Sequence, residues 1–208
     1  PRRFLASTSE TCFNPSRMDE RERRIVDTAM ELAEKGGFEA VRLRDVAANA
    51  DVALGTLYRH FRSKEDLLVA ALSQETSPLV KKMRKSAPKG DTALERIDAY
   101  FTAATRTFCR RAKLARAVLR AAASGEPGPS AKLERFHDLS NGMLLAAIRG
   151  RRLGENDATE EEATVAGILQ QVWFASLIGW MGGSLSEKGV VAEVGKAAAY
   201  LLREGTAL

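Results

Sequence analysis

The chain has 208 residues, 45% hydrophobic and 28% charged, with a net charge of +5; that length holds one small module and one mid-sized body, each able to bury a core. No run reads as the roughly 18 apolar residues of a bilayer span, the first residues lack the pattern of an export signal, and Cys12 and Cys109 are too few for a disulfide framework or a zinc site. The expectation is a cytoplasmic chain with no membrane segment, metal or cofactor, whose modest positive charge favours an anionic partner.

Glycine and proline punctuate a sequence that is otherwise helical in period, with no sustained alternation of the kind a strand shows, so the fold class is all-α with about nine helices. Residues 1–17, rich in Ser, Thr and Arg, read as a mobile arm. A first helix places Ile25, Ala29, Leu32 and Ala33 on one face and stops at Gly36-Gly37. Two short helices follow. Ser63 then caps a fourth, with Asp66 three residues on and a stripe of Leu67, Leu68, Ala71 and Leu72, and this helix ends near Pro88-Lys89-Gly90.

Thr92 with Glu95 forms a capping box for a helix carrying Leu94, Ile97, Phe101, Ala104 and Phe108, and a short helix spans Leu114 to Ala123. The run Gly125-Glu126-Pro127-Gly128-Pro129 is a loop, after which Ser130 caps a helix with Leu133, Phe136, Leu139, Met143 and Ile148. Thr159 with Glu162 opens a long helix through Val165, Leu169, Trp173, Leu177 and Trp180; Gly182-Gly183 ends it, and a last helix repeats Val190, Val194, Ala197 and Leu201. The expected domains are the arm (1–17), a small module (18–66) and a larger body (67–208).

The informative stretch is Leu43 to Phe61, two short helical fragments separated by Ala50-Asp51-Val52-Ala53. Two helices this short need a shared core: a small residue where they touch, a turn residue tolerant of left-handed backbone, and an apolar residue pointing back from the second helix. Ala47, Asp51 and Leu57 meet those demands, and Val46, Val52 and Phe61 complete the apolar side. Leu54, Gly55, Thr56, Tyr58, Arg59 and His60 are left to face outward, fully or in part. Between Arg42 and Lys64 five basic residues stand against Asp45 and Asp51. Such a face suits a recognition helix whose first half meets base edges, with Arg42, Arg44 and Lys64 placed to grip phosphates. On spacing alone, a helical hairpin with a solvated polar face fits equally well.

Residues Val46 to Leu68, VAANADVALGTLYRHFRSKEDLL, resemble the DNA-binding signature of TetR-type repressors, and Gly36-Gly37-Phe38-Glu39-Ala40 matches the same family's opening. The resemblance covers about residues 24–72. It implies phosphate contacts for Thr56, Tyr58, His60 and Lys64, and positions near bases for Leu54, Gly55 and Arg59. Two departures stand out. Asp51-Val52-Ala53 replaces the family's usual Gly-Val-Ser, so the second helix loses its hydroxyl cap, and Arg42 or Leu43 stands where a Thr or Ser is usual.

The resemblance further implies a homodimer formed by the last two helices and a C-terminal cavity for an effector. Phe101, Phe108, Leu119, Phe136, Leu139, Met143, Trp173 and Leu177 are the candidates for an apolar effector's cavity, and Phe174, Ile178, Met181, Val194, Ala198 and Leu201 for the dimer seam. Arg106, Arg110, Arg111, Lys113, Arg116 and Arg120 read first as a solvated face, and alternatively as receiving an anionic group such as a coenzyme A thioester. GTLYR together with VWFASLIGW is similar to repressors of sterol and lipid catabolism. An enzyme is disfavoured: His60 and His137 are the only imidazoles, no catalytic or metal motif is present, and there is no catalytic residue to name. A helical lipid carrier without DNA activity is the alternative reading.

Overall fold

A computed structural model describes residues 18–123, 130–155 and 158–203; the arm and the Gly-Pro loop read from the sequence lie outside the described residues. Among them are nine α-helices and no strand: α1 (Glu20–Gly36), α2 (Leu43–Asn49), α3 (Leu54–His60), α4 (Lys64–Lys85), α5 (Ala93–Cys109), α6 (Ala112–Ala123), α7 (Ser130–Arg149), α8 (Glu160–Met181) and α9 (Glu187–Leu201), with a 3-10 turn at Phe38–Ala40. They form two compact units. Of the described residues, one contains 18–77, 108–123 and 130–136, the other 78–107, 137–155 and 158–203.

In the first unit α1 begins at Asp19, whose carboxylate accepts from the Glu22 amide at 2.7 Å, and ends at Gly37 with φ of 69°. That amide contact holds the exposed Asp19 carboxyl below its ordinary range. Ile25, Val26, Ala29, Val46, Leu57, Phe61, Leu67 and Leu68 are wholly withdrawn from water. α6 packs against α1 and the 3-10 turn, burying Leu114, Val118 and Leu119. Its flanking cations are tethered: Arg110 meets Glu75 at 2.6 Å, Arg111 meets Glu34 at 3.7 Å, Arg120 meets Glu39 at 2.8 Å, and the Lys113 ammonium donates to the Lys35 carbonyl. Four of the six cations read as a solvated face thus tie α6 and the turn before it to α1, α4 and the 3-10 turn, through pairs that are individually weak where exposed.

In the second unit all the capping signals read from the sequence are realised. The Glu95 amide donates to the Thr92 hydroxyl, and the Glu95 carboxylate accepts from the Thr92 and Asp91 amides; Thr159 and Glu162 form a complete capping box. Polar side chains then fix the packing of α5, α7 and α8. The Tyr100 hydroxyl lies 3.2 Å from the Ser140 hydroxyl, Gln170 donates to both, and the Trp173 indole donates to the Thr105 hydroxyl at 2.9 Å. Burial raises the Tyr100 pKa, against the two hydrogen bonds, so the phenol stays protonated. Arg96 reaches across to the Ala147 and Ile148 carbonyls and caps the end of α7.

Glu162 is nearly sealed from solvent and pairs with Arg149 at 2.7 Å. Burial alone would raise its carboxyl, but the Arg149 guanidinium and the Thr159 amide and hydroxyl outweigh it and hold the carboxyl below the ordinary range. The folded pKa therefore lies below the unfolded one, and the stabilisation is present above the unfolded carboxylate range and drains as pH falls through the folded value. Glu162→Gln keeps the capping geometry and loses the charge. It is expected to melt below the parent near pH ~7, with the gap closing near pH ~3; thermal melts at both pH values check this, and a pH-independent gap would dismiss the pair as its source.

From Ala163 to Met181 α8 carries no charged side chain, and with a mean hydropathy of 1.2 it is by length and composition long and apolar enough to cross a membrane. The expectation that no run has this character is corrected. The excess arises because α8 is apolar on two sides: Val165, Leu169, Trp173 and Leu177 enter the unit's core, while Ile168 and Ala175 face outward. α9 packs along it after the turn at Gly182-Gly183, where Gly183 has φ of 81°.

Candidate nucleic-acid interface

The α2–α3 pair is assembled as its sequence demands. α2 closes with two bonds from the turn: the Val52 amide to the Ala47 carbonyl at 3.0 Å, and the Asp51 amide to the Ala48 carbonyl at 3.4 Å. This six-to-one and five-to-two closure requires left-handed backbone at Asp51, whose φ is 52°. Asp51 is the one non-glycine residue with positive φ among the described residues, and aspartate tolerates the conformation that a β-branched residue would resist. Ala47, Leu57, Val46 and Phe61 are buried as expected, while Val52 is half-buried.

Ala53 is the N-cap of α3, with φ −64° and ψ 141° and no side-chain cap bond. A serine in that backbone geometry would satisfy one orphan amide. Ala53→Ser is expected to stabilise the protein by about 0.5–2 kcal/mol, seen as a higher urea midpoint; an unchanged midpoint would mean water already serves those amides. Arg42 is the N-cap of α2, likewise without a side-chain bond.

The outward face of α3 presents Gly55 and Arg59, both exposed, and Tyr58, half exposed. Leu54 and Thr56 are half-buried, and a Cβ added at Gly55 would meet nothing within 4 Å. Arg42 and Arg44 on α2 are exposed. α3 contains no acidic residue, so the face combines a slim approach with hydroxyl, aromatic and cationic groups.

Two candidates are held differently from the others. His60 is half-buried, and its Nε2 is sealed from solvent without a hydrogen-bond partner among the described residues. The Lys64 ammonium sits 3.7 Å from the centre of the Phe38 ring and 3.8 Å from the Glu39 carboxylate, and Arg120 shares both partners. Sequence reasoning missed this cage, although Gly-Phe-Glu at the 3-10 turn was the available signal.

The candidate effector residues fall into both units. Phe101, Leu139, Met143, Trp173 and Leu177 belong to the α5–α7–α8–α9 unit, whereas Phe108, Leu119 and Phe136 pack in the helix-turn-helix unit. Seven of the eight are buried, and Leu139 is half-buried. Phe101 meets Trp173 at a tilt, with ring centres 5.9 Å apart, and borders a groove of about 390 Å³ with Leu94, Ile97, Val191, Gly195 and Ala198.

Of the dimer candidates, Phe174, Ile178, Met181 and Leu201 are half-buried. Val194 and Ala198 are each 1% exposed. Their assignment to the seam is corrected: α9 turns them into its own chain's core. Periodicity identifies an apolar side of a helix but not which partner covers it. The outward apolar residues that the sequence left unassigned are Ile168, 42% exposed on α8, and Tyr200, 67% exposed on α9; with Val165 and Leu201 they border a groove of about 530 Å³.

A family model described as bacterial regulatory proteins, tetR family, matches residues 25–71, and one described as the tetracyclin repressor-like C-terminal domain matches residues 90–202. The chain is 33% identical over 201 residues to the HTH-type transcriptional repressor KstR of Rhodococcus jostii (strain RHA1), covering 97% of this chain and 92% of the relative. It is also 33% identical to KstR of Mycobacterium tuberculosis (strain ATCC 25618 / H37Rv), over 85% of this chain and 78% of the relative. Among solved structures it superposes on a TetR transcriptional regulator from Rhodococcus sp. RHA1 with a TM-score of 0.72 at 26% identity, covering 88% and 96% of the two chains. The fold is shared with Thermus thermophilus FadR in complex with lauroyl-CoA, with a TM-score of 0.69 at 23% identity over 90% and 95%. A helix-turn-helix with a basic outer face, followed by a helical body matched from residue 90 to residue 202, leaves one conclusion: the chain belongs to the tetR family of bacterial regulatory proteins.

Proposed function

We propose that the protein is a cytoplasmic transcriptional repressor that binds a two-fold symmetric operator as a homodimer and releases it when a largely apolar effector enters the C-terminal body. The observation that carries this reading is the α3 face: an acid-free surface of Gly55, Thr56, Tyr58 and Arg59 on a helix locked from behind by Leu57 and Phe61. DNA reading is assigned to residues 18–66, and effector binding and dimerisation to residues 67–208. Leu54, Gly55 and Arg59 approach bases; Arg42, Arg44, Thr56, Tyr58, His60 and Lys64 engage phosphates, with His60 and Lys64 turning out of their present contacts to do so. Two α3 helices in successive major grooves stand about 34–36 Å apart.

The dimer seam is assigned to the outer side of α8 and the end of α9, with Ile168, Phe174, Ile178, Met181, Tyr200 and Leu201. The effector site is assigned to Phe101, Leu139, Met143, Trp173 and Leu177, beside the Tyr100–Ser140–Gln170 hydrogen bonds that give this apolar interior polar partners. An acyl-CoA or steroid-derived thioester suits that chemistry, and FadR shows that the same fold accommodates lauroyl-CoA. The similarity to KstR supports the repressor assignment, and the resemblance of GTLYR and VWFASLIGW to repressors of sterol and lipid catabolism supports a place in that branch.

The test is an anisotropy titration of the protein against DNA from its own promoter region at two salt concentrations, with and without fatty acyl-CoA and steroid acyl-CoA thioesters. Tight, salt-sensitive binding that one thioester class releases supports the reading. Specific binding that neither class releases refutes the effector assignment, and binding to no specific sequence refutes the repressor assignment.

A further inference from the structure

The recognition helix ends on a cation from another helix. Lys132, in the first turn of α7, reaches the junction of α3 and α4, and its ammonium sits 2.7 Å from Asp66 Oδ1 with both side chains largely buried. It also donates to the His60 carbonyl at 3.4 Å and lies 4.4 Å from the centre of the Phe61 ring. His60 is the last residue of α3, and Phe61 is its C-cap and is fully buried. Asp66 uses its other oxygen, Oδ2, to accept the Arg62 amide at 3.0 Å, while its own amide donates to the Ser63 hydroxyl.

One ammonium therefore neutralises a buried carboxylate, occupies the negative end of α3, and covers the aromatic ring that plugs that end. α3 has only seven residues, too short to hold its own direction, since isolated helices of this length do not persist in water. Its orientation must be imposed from outside. The carboxylate without the ammonium would be a buried unpaired charge, so the contact is costly to break from either side.

We propose that Lys132 is a positioning residue for DNA binding: through Asp66 and the His60 carbonyl it fixes the C-terminal end of the recognition helix, so the affinity for operator depends on where α7 begins. Lys132 touches no DNA in this role. Loss of its charge therefore lowers affinity without changing the number of phosphates neutralised, which is what the salt dependence counts.

The experiment uses the full chain and a duplex operator that the protein itself selects from a random-sequence pool. Lys132→Met is expected to weaken binding by about tenfold or more, with the slope of log affinity against log salt unchanged. Lys132→Arg, which keeps a cation beside Asp66, is expected to stay within about threefold of the parent. Asp66→Asn retains an acceptor for the Arg62 amide and carries the same prediction as the methionine variant, should that variant fail to fold; combined, the two changes should weaken binding no further than one of them. A folded Lys132→Met with parental affinity overturns the proposal. So does a salt slope reduced by about one unit, the signature of a direct phosphate contact, or an arginine variant as damaged as the methionine one.

Discussion

Arg59→Ala is expected to weaken selective operator binding strongly while leaving the fold intact. Arg59 is exposed on α3, so removing it exposes no core and opens no cavity. A guanidinium that pairs with a base edge is worth about 1–3 kcal/mol of discrimination, and a symmetric dimer loses it twice. The expected cost is about 2–6 kcal/mol per dimer, a weakening between about thirtyfold and ten-thousandfold. Competition anisotropy should show operator and unrelated DNA converging in affinity. Arg84→Ala removes the same charge from an exposed position on α4 and should leave the preference for operator close to parental. If Arg59→Ala kept the parental ratio, base reading would lie elsewhere on the α2–α3 face.

Ile168→Asp is expected to split the dimer. α8 is uncharged from Ala163 to Met181, and Ile168 is the large apolar side chain that its outer side exposes, next to Tyr200 of α9. In a two-fold seam each substitution appears twice, so two carboxylates enter one apolar contact, each losing water without gaining a partner. Such a burden, about 3 kcal/mol or more, corresponds to more than a hundredfold weaker association. Sedimentation should detect the monomer, and operator affinity should fall with it, because two linked half-sites become one. Tyr200→Ala should weaken the dimer less, since it removes contact area without adding charge. A variant that sediments as the parental dimer would move the seam off this side of α8.

The helix-turn-helix was legible because its constraints are local. Ala47, Asp51 and Leu57 must occur at set separations for two seven-residue helices to share a core, and the left-handed turn at Asp51 and the bare cap at Ala53 follow from residue type alone. The capping boxes at Thr92 and Thr159 were equally plain, since a cap and its partner lie three residues apart.

What period alone leaves open is the identity of the partner. Val194 and Ala198 share the spacing of a seam but are buried by their own chain, while Ile168 and Tyr200 look outward; both arrangements satisfy the same helical repeat. Likewise the cations of α6 find Glu34, Glu39 and Glu75, and Lys132 finds Asp66 across more than sixty positions of sequence. A sequence by itself determines which residues gather on one side of a helix, because that depends on 3.6 residues per turn. Which side meets which neighbour, and so whether a charge solvates a surface or ties down a recognition helix, is decided only when the helices pack, because burial and pairing are properties of the space between them.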